Sequence, residues 1–468
     1  MIAGILLLGL ALRLVSLNQS FWLDETAQAV LSRAPIFSVH YAADFQPPLY
    51  YVLGHFWMLL GNSIGIGHAE WFLRLPSVCF GVATIFFLYK LGEKLFSKNT
   101  GLLAAFFLAI APFHIYYSQE FRMYSLLTLL CLLCWNALYD KKWISFSVFV
   151  TLSLFTHYFA FVNLFAMGIY FLSTRNKRGL GYLVAGFVPF TLWIPTFLTQ
   201  LETAHQLVSL WPKWSTVSNA GFFKFLPLLA AKWTVGMISP SNKFLYAISV
   251  VIFVLIGCIS TFYFFRSMTL GGVTKRGRYH VLVQYGITPI LIAWFAGLWI
   301  PAATPTRIQF VLPAIYLIVA QGCIHALVYG KYKKITYIGI TIFCAIQLFF
   351  SAQYLLDQKN HREDWRSAIT YSDTYISDHT LDDTIILTAF NDKWAPMDWY
   401  SKYPEKYVGG KNYQPTTPEP QNIVLYTYLF EIFDSNKSVE ASLTKNYTVT
   451  EEIDFRGVGI VKTHMKNL

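Results

Sequence analysis

Charged side chains are scarce in this sequence, at 13% of 468 residues against about 25% in an ordinary globular domain. With 55% of its residues hydrophobic, the chain has more apolar side chain than one soluble core of this length can hide. Acids are rarest in the first part: residues 1–355 hold 24 basic and 8 acidic side chains, residues 356–468 hold 12 and 17. Nucleic acid is excluded as a partner, because the basic excess sits in the short connections of an apolar chain, where Lys and Arg set membrane orientation. The six cysteines all lie within apolar stretches and none is in the tail, which argues against a disulfide framework or a zinc cluster. No Walker loop, dinucleotide fingerprint, His-Glu-x-x-His helix or Gly-x-Ser-x-Gly elbow is present, which removes the nucleotide-driven cytosolic enzymes and the common hydrolases.

What is present is a series of long apolar runs. A span needs about 20 mostly apolar residues, and eleven stretches qualify as candidates: 1–17, 68–89, 100–117, 122–139, 143–157, 158–174, 180–199, 244–265, 281–300, 308–329 and 335–355. The first has no basic leader and no small-residue cleavage pattern, so it reads as a retained span. The stretches 143–157 and 158–174 are short and fit either a helical pair or one kinked element. Fifteen of the 24 basic residues before position 356, among them Lys90, Lys94, Lys141, Arg178, Lys275, Arg276 and Lys334, fall in alternate connections. The positive-inside rule puts these connections and the N-terminus in the cytoplasm. The loops 18–67, 118–121, 200–243 and 301–307 then face outward, the two long ones as amphipathic helices at the interface. Residues 1–355 form the membrane module. Residues 356–468 form an outer α/β domain, with a helix through Trp365–Tyr371, strands at Thr384–Thr388, Ile423–Tyr428 and Tyr447–Thr450, and a Pro-rich stretch at 415–420.

In so apolar a chain, charge at a membrane border is informative because it is costly unless paired or hydrated. Asp24 and Glu25 follow the first span in the run FWLDETAQ. They fit a helix cap with a first-turn acid, or a carboxylate at an outward cavity that takes a proton or a metal. Gln46 stands before Pro47 and Pro48, just ahead of a helix start where a phosphate or sugar hydroxyl can be met. Tyr50, Tyr51 and His55 follow, the tyrosines equally readable as an aromatic belt. The short turn after the third span carries His114, Glu120, Arg122 and Tyr124, where Glu120 and Arg122 either neutralise each other or leave Arg122 facing a phosphate. His157 and Arg307 occupy outer span ends.

In order and placement, these motifs resemble the bacterial polytopic glycosyltransferases of the GT-C class (family 39-like), related to protein O-mannosyltransferases and to the aminoarabinose transferase acting on lipid A. The residues that carry the resemblance are Ala11-Leu-Arg13, Trp22-Leu-Asp-Glu25, Gln46-Pro-Pro-Leu-Tyr-Tyr51 with His55, Arg74-Leu-Pro76, the run from Pro112 to Tyr124, and Thr156-His-Tyr158. Later pieces are Arg307 to Pro313, Gly322 and Glu363-Asp-Trp-Arg366. The resemblance implies a mainly α, polytopic protein of GT-C type with about eleven spans, in a bacterial inner membrane. It implies inverting transfer of a hexosyl or pentosyl group from a polyprenyl-phosphate-linked sugar to a lipid, glycan or protein acceptor at the outer face. Asp24 would be the catalytic base or acceptor-orienting carboxylate, with Glu25 beside it. Glu120 would orient the acceptor, or hold a divalent cation with His114 or His157. Arg122 and Arg307 would meet the donor phosphate, and Gln46, Tyr50, Tyr51, His55 and Tyr124 would line the substrate site. The 200–243 loop is too short for the β-trefoil insert of the O-mannosyltransferases, which weakens a protein acceptor. A multi-span lipid or sugar transporter is the alternative; it predicts inverted halves with broken helices, whereas here the polar motifs crowd into the first 160 residues or so.

Overall fold

The computed structural model describes residues 1–36, 41, 44–214, 219–270, 273–299, 303–379, 383–413 and 419–467, with the backbone alone at 270 and 273–276. Residues 415–418 of the expected Pro-rich stretch and the side chains of Lys275 and Arg276 lie outside the described residues. The first nine described helices carry most of the argument. They are α1 (Ile2–Leu14), α2 (Leu23–Arg33), α3 (Leu49–Ser63), α4 (Glu70–Leu95), α5 (Lys98–Ile110), α6 (Pro112–Ser118), α7 (Tyr124–Tyr139), α8 (Trp143–Thr156) and α9 (Ala160–Ser173). Six helices of the described chain are long and apolar enough to cross a membrane, or seven if the bent pair α5–α6 is one span. The helices α1, α7, α8 and α9 have 13, 16, 14 and 14 residues, which at 1.5 Å per residue falls short of a hydrocarbon layer of about 30 Å. Length and composition therefore support fewer full spans than the eleven expected.

Two expectations change in detail. The stretches 143–157 and 158–174 are separate helices, α8 and α9, joined by a turn at 157–159. The span expected at 180–199 runs on as a 34-residue helical stretch, Lys177–Leu210, through a 3-10 segment at Val188–Trp193. Pro195 sits in the first turn of the following helix, Ile194–Leu210, where a missing N–H costs nothing, so the helix enters what the sequence reads as the 200–243 loop.

The bend between α5 and α6 aims the polar turn, and its cause is legible. Ala111 precedes Pro112 and is extended, at ψ 117°, as a residue before proline prefers; the two helices diverge by 66°. Pro112 has no N–H to give to the carbonyl of Leu108. Arg13 of α1, fully buried, supplies the donors: Nη2 to Leu108 O (3.3 Å) and Nη1 to Ala109 O (3.0 Å). Ser351 Oγ takes Ile110 O at 2.8 Å. A buried guanidinium is tolerated here because its N–H groups find carbonyls that the break has released. Gly81 of α4 allows the close approach of α6: a Cβ there would lie 2.2 Å from Ser118 Oγ.

After the last long helix, Lys333–Leu356, the chain passes through 357–364 into the helix Trp365–His379 and a five-stranded sheet. Its strands are β1 (Thr384–Thr388), β2 (Tyr407–Gly409), β3 (Asn422–Tyr426), β4 (Tyr447–Phe455) and β5 (Gly459–Lys466), in the order β2-β1-β3-β5-β4. The pairs β1–β2 and β1–β3 are parallel, β3–β5 and β4–β5 antiparallel. Alternation sends Ile386, Val424 and Tyr426 to one buried cluster with Trp365 and Ile369. Leu387, Ile423 and Leu425 go to another, with Val439 and Leu443. The parallel strands β1 and β3 are thus covered on both faces, as such strands require, while β4 at the edge is largely exposed.

Candidate active site

The site grows from one buried ion pair. Arg74 on α4 grips Glu25 on α2 with two parallel bonds, Nε to Oε1 at 2.8 Å and Nη2 to Oε2 at 2.6 Å, both side chains being essentially without solvent exposure. Its remaining donors collect the carbonyls of Leu17, Gln19 and Ser20. One planar fork therefore fixes the path from α1 into α2. Glu25 Oε1 also accepts the backbone N–H of Phe121 at 2.7 Å, which ties the 119–123 turn to α2.

A second guanidinium reaches this hub from the far end of the chain. Arg362, in the connection before the outer domain, lies with Nε 3.8 Å from Glu25 and Nη1 3.4 Å from Glu120. It donates to Tyr116 O at 2.9 Å and sits 3.9 Å over the Tyr116 ring. Glu120 Oε1 also accepts the Trp22 indole N–H at 2.8 Å; its Oε2 has no hydrogen-bond partner among the described residues. Burial pushes the Glu25 carboxyl up, but Arg74, Arg362 and the Phe121 N–H outweigh this and hold it below its ordinary value. For Glu120 burial wins over Arg362, and with Glu25 nearby the carboxyl is pushed up to about 7. Arg362 is shared with Glu25 and Arg122 with Asp24, so Glu120 has no cation to itself.

Above these acids lies a more open group. Asp24, 40% exposed, places its carboxylate 3.5 Å from Arg122 Nη2, and Arg122 Nη1 donates to the Asp24 carbonyl at 3.2 Å. Asp44 is hydrogen-bonded by Tyr51; burial pushes its carboxyl up and Arg122 pulls it back. Arg307 lies 5.9 Å over the Phe159 ring and within electrostatic reach of Asp24 and Tyr124. The Tyr124 ring is 5.7 Å from His157. This is an arrangement of one accessible carboxylate with two guanidiniums around it, fit to orient a nucleophile beside an anionic leaving group.

Of the residues singled out in the sequence, Asp24, Arg122, Arg307, Tyr51, Tyr124 and His157 therefore converge. Glu25 and Glu120 lie beneath them as buried charges; Glu25 is an internal ion pair with no face toward an acceptor. Tyr50 is buried, its hydroxyl bound to Ser77 Oγ at 2.8 Å, so it is packing and not substrate lining. His55 is engaged through Nδ1 with Ser32 O at 2.9 Å. Gln46 gives its backbone carbonyl to Gln200 (3.1 Å), and its side-chain Oε1 is buried without a partner among the described residues. His114 Nδ1 accepts from Arg13 at 2.6 Å, which leaves the proton of the neutral ring on Nε2 and no lone pair for a metal, so it does not join Glu120 in a metal site. Among the described residues no group of three His, Cys, Asp or Glu side chains is placed to hold a metal ion. Sequence reasoning missed Arg362 and the role of Arg74. Both carried a signal: Arg74 is a charge inside an apolar run, and Arg362 is a basic residue next to a span end that the sequence reads as outward, where the positive-inside rule expects few.

The family model described as dolichyl-phosphate-mannose-protein mannosyltransferase matches residues 46–198. No curated protein matches the sequence. Among solved structures, ArnT from Cupriavidus metallidurans in the apo state is similar at TM-score 0.59 and 11% identity, over 98% of this chain and 97% of that one. The same protein bound to undecaprenyl phosphate gives TM-score 0.54 and 12% identity, over 98% and 96%. The oligosaccharyltransferase AglB of Archaeoglobus fulgidus, with an inhibitory peptide and dolichol-phosphate, gives 0.51 and 12%, over 98% of this chain and 74% of that one. The chain has the GT-C fold of these membrane glycosyltransferases.

Proposed function

We propose, on the premise of the GT-C fold, that this membrane protein is an inverting glycosyltransferase, moving a sugar from a polyprenyl-phosphate-linked donor to a lipid, glycan or protein acceptor at the outer face of a bacterial inner membrane. The observation that carries the reading is the divergence of two adjacent acids: Glu25 is consumed by Arg74, while Asp24 remains accessible 3.5 Å from Arg122. In this reading Asp24 takes the proton of the acceptor hydroxyl or amine. The acceptor atom bonds to the anomeric carbon as the bond from that carbon to the phosphate oxygen breaks. The polyprenyl phosphate leaves with the bonding electron pair, its charge met by Arg122 and Arg307. A single displacement inverts the anomeric centre. For the prenyl chain, support comes from an apolar cavity of about 520 Å³ between the helices Phe222–Val235, Lys243–Leu270 and Leu312–Tyr329; its wall includes Leu312, five residues after Arg307.

The test is Asp24→Asn in purified protein, with turnover and donor binding measured separately. A base role predicts a loss of about 10²–10⁴-fold in kcat with donor binding kept. A purely structural role in the first turn of α2 predicts near-wild-type turnover, since Asn keeps the shape and one acceptor oxygen of Asp, and that result would reject the mechanism.

A further inference from the structure

The polar group around Arg122 and Arg307 contains a histidine whose tautomer the structure fixes. His157 lies in the turn between α8 and α9 and is 2% exposed. Its Nδ1 accepts the backbone N–H of Phe159 at 2.9 Å. A nitrogen that accepts a hydrogen bond holds no proton, so in the neutral ring the proton is on Nε2. Two guanidiniums, Arg307 and Arg122, act on the ring, and a third positive charge beside them is disfavoured, which favours the neutral ring. The Nε2 is buried and has no hydrogen-bond partner among the described residues. A buried donor left unsatisfied costs free energy, which an acceptor brought by a ligand recovers.

We propose that His157 is a third donor of the anion site: its Nε2–H, with the guanidiniums of Arg122 and Arg307, hydrogen-bonds a phosphate oxygen of the donor lipid and of the released prenyl phosphate. The proposal rests on the phosphate reading of the two arginines given above, and it replaces the metal role considered for this histidine. A metal ion needs a lone pair on the ligating nitrogen. Here Nδ1 is spent on Phe159, Nε2 carries the proton, and both neighbouring charges are positive. An anion needs what is present: a neutral donor beside two cations.

The test uses the full chain in detergent micelles with farnesyl phosphate as probe and farnesol as the uncharged control, binding being read by calorimetry. Gln places an amide N–H near the position of Nε2, whereas Asn places its amide nearer to Nδ1. His157→Gln is expected to bind farnesyl phosphate within a few-fold of wild type, and His157→Asn and His157→Phe roughly 10-fold or more weaker, with farnesol binding unchanged in all. Arg122→Ala and Arg307→Ala separate the two readings. If these lose the phosphate preference while His157→Asn keeps it, the histidine proposal fails alone; if wild type shows no preference for farnesyl phosphate over farnesol, both fail. Equal weakening of the Gln and Asn variants also overturns it, since position on the ring would then not matter. Should the Asn and Phe variants fold poorly, ¹⁵N-histidine spectra of the wild type decide, with the His157→Gln spectrum as assignment. The Nε2 resonance of His157 is expected to shift on adding farnesyl phosphate; a shift confined to Nδ1, or no shift, rejects the proposal.

Discussion

On an α-helix neighbouring side chains point about 100° apart, so of Asp24 and Glu25 only one can face α4. Which of the two does so is decided by Arg74, 49 residues away along the chain. That is why the pair was legible as important while its division of labour was not. The same partner logic makes Glu120 a pH-sensitive element. Its carboxyl is raised to about 7 from an ordinary 4.5, so between those values the folded protein holds a proton that the unfolded chain has released. The stability contribution is therefore fully present below about pH 4.5 and is lost as pH rises through about 7. Glu120→Gln imitates the neutral acid at every pH. Its melting temperature in detergent should gain on wild type between pH 5 and pH 8, by an amount on the order of a few °C; a constant difference across that range would show that Glu120 ionises normally.

At the scale of elements, α2 starts without a side-chain cap of its own, and its missing partner comes from the outer domain. Glu363 accepts the backbone N–H of Leu23 at 3.1 Å and is held in turn by the Trp365 indole (2.7 Å) and the Tyr428 hydroxyl (2.9 Å). Glu363→Ala should loosen the first turn of α2, which carries Asp24, at a cost of about 1 kcal/mol. Hydrogen exchange at residues 23–26 should rise well before exchange elsewhere in the membrane module, and Glu363→Gln, which keeps one acceptor oxygen, should largely restore protection. Unchanged exchange in the Ala variant would mean that water caps the helix as well as Glu363 does. Many elements were readable in advance: β1 at Thr384–Thr388 is where its β-branched run lies, and the last long helix ends at Leu356, where charge begins to accumulate. The helix through Leu210 was not, because hydropathy falls around Gln200–His205 while the backbone hydrogen bonding continues. Side chains such as Gln200, which donates to Tyr41 O and Gln46 O, give a polar tract a reason to stay helical that no window of sequence reveals.

At the scale of the whole molecule, the outer domain is fastened to the membrane module at several points. Arg366 pairs with Glu70 at 2.6 Å, the Tyr400 hydroxyl accepts from Phe21 N (2.8 Å) and donates to Glu70 (2.9 Å), and Arg33 lies 4.0 Å over Trp399. Asp24 and residues 356–468 must then share one side of the bilayer. If the N-terminus is inside, as the positive-inside rule expects, that side is the outer one, and protease added to right-side-out spheroplasts should remove the tail. A tail protected there and cut in inverted vesicles would reverse the assignment. The position of Arg362 has a further consequence for how the protein is made. Its carbonyl is held by Arg456 Nε at 2.9 Å, and Asp364 N–H binds Arg456 O at 2.8 Å, so the connection is locked by the turn between β4 and β5. In the proposed topology, a chain emerging from the ribosome can pair Glu25 with Arg74 early, but Arg362 joins Glu25 and Glu120 only once that final hairpin has been exported and folded. A half-inserted chain would therefore hold the Glu25–Arg74 pair without Arg362, and the buried hub would close only when translocation is complete.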